Sequence, residues 1–204
     1  MKIRSVIFCS DGLGGWVVHF SRPGWKYAVT ATPDMAMHCR DEAFLSAPIE
    51  SVFEVISDLR TYAKWWLLVH VVPLDSHKLV AGTRWRFQSG PGRRPINWIA
   101  EVLEVESPRR IEMEYVEGDL LVRTAWELEA CEGRTRVAYV YRGVSGVHPQ
   151  TAATFARYGT QLHSLAMQTD ALAKLGRYLG GEILGEERRA EVEAVVQAGV
   201  AGLN

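Results

Sequence analysis

The sequence has no CxxC pair, no apolar run long enough to cross a bilayer and no excess of charge of either sign. Its three cysteines, Cys9, Cys39 and Cys131, are odd in number and scattered. That argues against a disulfide framework and a cysteine zinc site, and it fits reduced thiols. With 23 basic residues against 24 acidic ones, no overall field draws the chain to nucleic acid or to an anionic membrane. The apolar run Val6–Cys9 is too short for a signal-peptide core and meets Ser10, Asp11 and Gly12 at once. No stretch approaches the roughly 20 apolar residues of a membrane span. No Ser-His-Asp, Cys-His or paired-carboxylate arrangement can be read from spacing. The expectation is a cytoplasmic protein with no metal, no cofactor, no nucleic-acid partner and no membrane insertion; the oligomeric state stays open.

What is present suits one globular domain with tails: 204 residues, 48% of them hydrophobic. Residues 1–37 are interrupted by Gly12, Gly14, Gly15, Pro23, Gly24 and Pro33 and show no amphipathic period, so they read as an N-terminal extension. The DGLGGW stretch after a possible strand at Ile3–Cys9 resembles a dinucleotide loop. It lacks the third glycine, with Val17 in its place, and Pro23-Gly24 leaves no room for a crossover helix, so it is taken as a turn.

From residue 38 the pattern is regular. A strand over 39–46 ends at Ala47-Pro48, and Pro48 suits the first turn of a helix whose apolar residues Ile49, Val52, Phe53 and Ile56 recur at three and four. Ser57-Asp58 can cap a second short helix with Leu59, Tyr62, Trp65 and Trp66. Alternating strands follow over 83–89, 95–106, 110–117, 120–130 and 135–144, separated by turn residues such as Gly118-Asp119 and Glu132-Gly133. After His148-Pro149 the period becomes helical for some thirty residues, through Phe155, Leu162, Leu165, Leu172 and Leu175, and ends at Gly180-Gly181. Residues 182–204 read as a peripheral charged helix and tail.

This order, with the wording APIESVFEVISDLRTYAKWW and GDLLVRTAWELEACEGRTRVAYVYRGV, resembles the START-like (SRPBCC) superfamily and its polyketide cyclase/dehydrase-like branch. The resemblance covers 38–181. It implies an α+β helix-grip fold, in which a curved antiparallel sheet wraps a long C-terminal helix and two short helices lie near the N-terminal end. It also implies a cavity between sheet and helix, with the second short helix near its mouth.

Strand parity puts Trp85, Phe87, Trp98, Met113, Tyr115, Thr124, Trp126, Tyr139 and Tyr141 on the concave face. With Trp66, Phe155, Leu162 and His163 they form the candidate site, although rings of this size can also close a small interior by themselves. Trp65 and Trp66 are neighbours, so on a helix they diverge by about 100°; one packs and the other is free to gate. Arg123 falls on the outer parity, opposite Glu112 or Glu114. Three functions stay open. The first is binding of a small hydrophobic ligand, lipid or aromatic polyketide-like. The second is a cyclase or dehydratase using cavity tyrosines or His163 as acid or base. The third is a protein-interaction or chaperone-cofactor module.

Overall fold

The computed structural model describes residues 5–10, 16–22, 25–31, 36–89, 95–145, 161 and 163–181, with side chains from His38 onward except at 121, 144 and 145. Phe155, Leu162 and the expected tail 182–204 lie outside the described residues.

The N-terminal stretch departs from its expected irregularity. Strands β1 (Ser5–Ser10), β2 (Trp16–Arg22) and β3 (Trp25–Ala31) pair antiparallel in a sheet of their own, in the order β1-β2-β3. The β-branched and aromatic residues in VIF, WVV and WKYAV supply strand propensity between the glycine and proline breaks. Ser10 pairs with Trp16, so an antiparallel return follows DGLGG where a dinucleotide site needs a helix.

A seven-stranded, wholly antiparallel sheet follows, in the order β4-β10-β9-β8-β7-β6-β5. Its strands are β4 (Ala36–Leu45), β5 (Val69–Pro73), β6 (Arg84–Ser89), β7 (Ile96–Glu106), β8 (Arg110–Gly118), β9 (Leu120–Cys131) and β10 (Arg134–Ser145). β4 starts at Ala36, three residues before the strand read from sequence, because its register against β10 runs on to Met37 and Ala36. β5 carries no strong sequence signal. VHVVP is five residues long and lies directly behind the tryptophan pair, yet it forms the edge strand beside β6.

Alternation translates directly into burial. Ile111, Met113 and Tyr115 of β8 are buried, while Glu112 and Glu114 between them face the other side. On that outer face Arg123 reaches Glu114 at 3.2 Å and Arg110 bonds Glu112 and Glu127, the expected cross-strand ladder. Gly118 ends β8 at φ +117°, where an added Cβ would lie 2.2 Å from the Asn97 carbonyl oxygen. Only glycine lets β7 and β8 approach there.

The concave face is closed by helices. Pro48 stands at the N-cap of α1 (Ile49–Ser57), which buries Val52, Phe53 and Ile56. Asp58 then accepts from Arg60 N and opens a 3₁₀ turn, Leu59–Thr61, that leads into α2 (Tyr62–Trp65). The C-terminal helix is described as helical over 163–166, as a π-helical stretch over Met167–Leu172 and as α3 (Ala173–Leu179). Met167, Ala171, Leu172 and Leu175 are fully buried from it. Each large side chain among them contributes about 1.5–3 kcal/mol through burial. This is the expected helix-grip α+β fold: a curled sheet with the C-terminal helix laid into it. No helix among the described residues is long and apolar enough to cross a membrane.

Candidate functional site

The concave face carries a ring cluster that borders a small void of about 20 Å³, room for about one water molecule. Trp66, Trp98, Met113, Tyr115, Thr124, Trp126 and Tyr139, all read from the sequence, border it. Phe87, read on the same face, borders it as well, and Tyr62 and Ile111 join them. Tyr62 was legible as an apolar position of α2. Its part in the wall depends on how α2 is seated, which periodicity does not encode.

Three described site residues, Trp85, Tyr141 and His163, do not reach the void. Trp85 lies one pleat along β6, opposite Pro73 and Ala100, and is 1% exposed in the core there. Tyr141 is buried but covered by His163, whose ring centroid is 4.6 Å away. His163 is half-buried there, with 16% of its side chain exposed. Its ring also stacks on Tyr139, at 5.7 Å and 17°. Among the described residues none of the C-terminal helix lines the void, so its described walls are strands and α2.

The tryptophan pair resolves differently from the helical expectation. α2 ends at Trp65, and Trp66 takes φ −95° and ψ 78° as its C-cap. Outside helical geometry the two rings no longer diverge; they stack at 5.8 Å and 23°. Trp65 is fully buried and donates Nε1–H to Thr61 Oγ1. Trp66 is half-buried and packs by its ring against Tyr62, Trp126 and Tyr139.

The polar atoms of the cluster fall into two groups. Trp126 Nε1–H donates to Tyr62 Oη at 3.1 Å, and Tyr62 Oη–H donates to the Ile56 carbonyl at 2.9 Å, so that set is closed. Across the void the Tyr115 and Tyr139 hydroxyls share a 3.0 Å bond. Thr124 borders the void beside both phenols. Trp98 Nε1–H lies near Tyr115 but has no aligned acceptor among the described residues. Burial pushes the phenols of Tyr62, Tyr115 and Tyr139 upward. At neutral pH they are donors and not bases.

Sequence reading missed Asp41. It shares the inward parity of Cys39 and Leu45 on edge strand β4, and it is 5% exposed. A charged residue on an inward position of an edge strand was the available signal. His163 Nδ1 lies 3.3 Å from Asp41 Oδ2, an ion-pair distance without hydrogen-bond alignment. Burial alone would raise the Asp41 carboxyl; the polar contacts of His163 and Ser164 outweigh it and hold the group below the usual range. No group of three or more potential metal ligands occurs among the described residues.

With this geometry in hand, the family model described as "Activator of Hsp90 ATPase homolog 1-like protein" matches residues 46–168, more than half of the chain. The chain belongs to the Activator of Hsp90 ATPase homolog 1-like family. That family places it in the START-like (SRPBCC) superfamily. Solved structures similar to this family member include a protein of Thermus thermophilus, with TM-score 0.56 and 21% identity, covering 71% of this chain and 98% of that one. An aromatase/cyclase from a Streptomyces species has TM-score 0.55 and 16% identity, covering 72% and 93%. A Mycobacterium smegmatis protein has TM-score 0.51 and 13% identity, covering 88% and 98%. At these identities the likeness extends to the fold alone. No curated protein matches the sequence at a significant level.

Proposed function

We propose that this family member binds one small, flat hydrophobic molecule against the concave aromatic face, admitted past Trp66. The observation that carries this reading is the contrast within the tryptophan pair. Trp65 is fully buried and hydrogen-bonded. Trp66, at the edge of the void, is half-buried and held by ring contacts alone among the described residues. Such ring pairs are worth about 0.5–1.5 kcal/mol each, so a ligand that replaces those contacts can swing the ring outward at small cost. A void of about 20 Å³ admits nothing larger than water until that happens. The apolar lining suits an aromatic polyketide-like ring system or a lipid.

Titration with the neutral dye N-phenyl-1-naphthylamine tests it. Saturation at about one equivalent with quenched tryptophan emission is expected, insensitive to salt because the walls are neutral. A folded protein that fails to bind the dye overturns the reading.

A second, catalytic reading as a cyclase or dehydratase draws on Asp41 and His163. Because the buried tyrosines stay protonated, proton abstraction from a bound ligand would fall to His163, oriented by Asp41. With a turned-over polyketide substrate, His163→Ala would then cost roughly a hundredfold or more in rate while dye binding persists.

A further inference from the structure

We infer that Trp98, Tyr115, Tyr139 and Thr124 form a donor site for a single carbonyl oxygen, so that the ligand class is a flat ring ketone or quinone rather than a plain hydrocarbon. The inference rests on the binding reading above and names what that site selects.

It follows from an accounting of hydrogens. The Tyr115 and Tyr139 hydroxyls, joined by one 3.0 Å bond, use one of their two hydrogens between themselves, whichever of them donates. One hydroxyl hydrogen is therefore left over. Trp98 Nε1–H is a second one. An indole nitrogen can only donate, and this one has no aligned acceptor among the described residues although the residue is 6% exposed. A buried donor without a partner costs about 1–3 kcal/mol, so the site gains by receiving an acceptor atom. Trp98, Tyr115 and Tyr139 all border the small void, and two donor hydrogens among them match an oxygen with two lone pairs, which a carbonyl presents and an aliphatic or aromatic hydrocarbon does not.

The other tyrosine–tryptophan set shows what a satisfied arrangement looks like. Trp126 and Tyr62 pass their hydrogens on to acceptors within the protein, ending at the Ile56 carbonyl. Among the described residues nothing comparable terminates the Trp98 side. The surroundings fix the rest of the ligand. Trp98, Phe87 and Tyr115 form a triangle of near-parallel rings with centroids 5.4, 5.2 and 6.4 Å apart, so the polar atom must sit on an otherwise apolar, planar body.

Two probes of the same shape separate the hypotheses: 9-fluorenone, which carries one carbonyl, and fluorene, which carries none. Each is titrated into the full-length protein by tryptophan quenching, and the carbonyl stretching band of bound fluorenone is recorded by infrared difference spectroscopy. Expected is a preference for fluorenone of about tenfold, as two ordinary hydrogen bonds supply, with the carbonyl band displaced to lower wavenumber. Tyr115→Phe should shrink the preference of fluorenone over fluorene to a few-fold. Tyr139→Phe serves as the second variant if Tyr115→Phe lowers the melting temperature. Equal affinities with an undisplaced band overturn the donor site while leaving hydrophobic binding intact. Failure of both probes to bind the folded protein removes the binding reading itself, and the donor site with it.

Discussion

At the scale of single residues, two neighbouring tryptophans with the same chemistry have different duties, and one backbone turn separates them. Trp65 closes the core, so Trp65→Ala should destabilise by about 3–5 kcal/mol in urea unfolding, as a large buried ring deletion does. The Trp66 side chain carries ring contacts at the edge of the void and no hydrogen bond among the described residues. Trp66→Ala should cost far less stability and raise the association rate of N-phenyl-1-naphthylamine in stopped flow. A rate unchanged by that substitution would remove Trp66 from the entry path. Gly118 is a residue-scale constraint of another kind. At φ +117° and with the Asn97 carbonyl 2.2 Å from any Cβ, Gly118→Ala should cost about 2–4 kcal/mol, read as a lowered unfolding midpoint.

At the scale of elements, buried carboxylates hold the C-terminal helix in its place. Asp170, fully buried in the π-helical stretch, accepts the Leu68 amide at 3.1 Å and ties that helix to the segment between α2 and β5. Asp41 ties edge strand β4 to the same helix through His163 and Ser164. Burial raises the Asp41 carboxyl less than these polar contacts lower it, so its folded-state pKa lies below the ordinary aspartate value of 3.8. A depressed folded pKa contributes stability that is fully present well above the unfolded value and is lost as pH falls through the folded one. Asp41→Asn should therefore be less stable than wild type by about 1–3 kcal/mol at pH 7, and the gap should narrow in acid below about pH 4. A gap that is constant from neutral pH down into that acid range would show that the carboxylate charge is not what holds the helix. The outer-face ladder around Arg110 and Arg123 is partly exposed to solvent, and surface pairs contribute about 0–1 kcal/mol each.

At the scale of the whole molecule, the seven-stranded sheet cannot bury its concave face alone, and the C-terminal helix supplies Met167, Ala171, Leu172 and Leu175 to it. A chain ending at residue 147 should be insoluble or should melt without cooperativity; a soluble, cooperatively folding truncation would contradict the helix-grip assignment. The β1-β2-β3 sheet shares no ladder with the larger sheet. A chain starting at residue 34 keeps all of β4 and should melt within a few degrees of full length by calorimetry. Starting at Met37 would instead clip the pairing of Ala36 with Val144 and leave that of Met37 with Gly143 at a frayed end, which moves the practical boundary upstream of the one periodicity suggests.

The sequence by itself determined the features that repeat at a fixed period. Alternation in β6, β8, β9 and β10 set which residues face inward, because side chains of a strand change face at every residue whatever the tertiary context. The spacing of Val52, Phe53 and Ile56 set the buried side of α1 in the same way. Strand order, loop residues and the long C-terminal period were enough to imply the superfamily. Tertiary structure alone decided the rest. Whether an inward ring borders a void or is covered depends on what lies across from it: His163 covers Tyr141, while Trp98 stays at the void's edge. Asp41 meets His163 across more than a hundred residues of chain, a pairing no local spacing records. The size of the void was equally hidden, since it is the small remainder after many large rings have been packed, and a remainder of about 20 Å³ is set by their orientations and not by their identities.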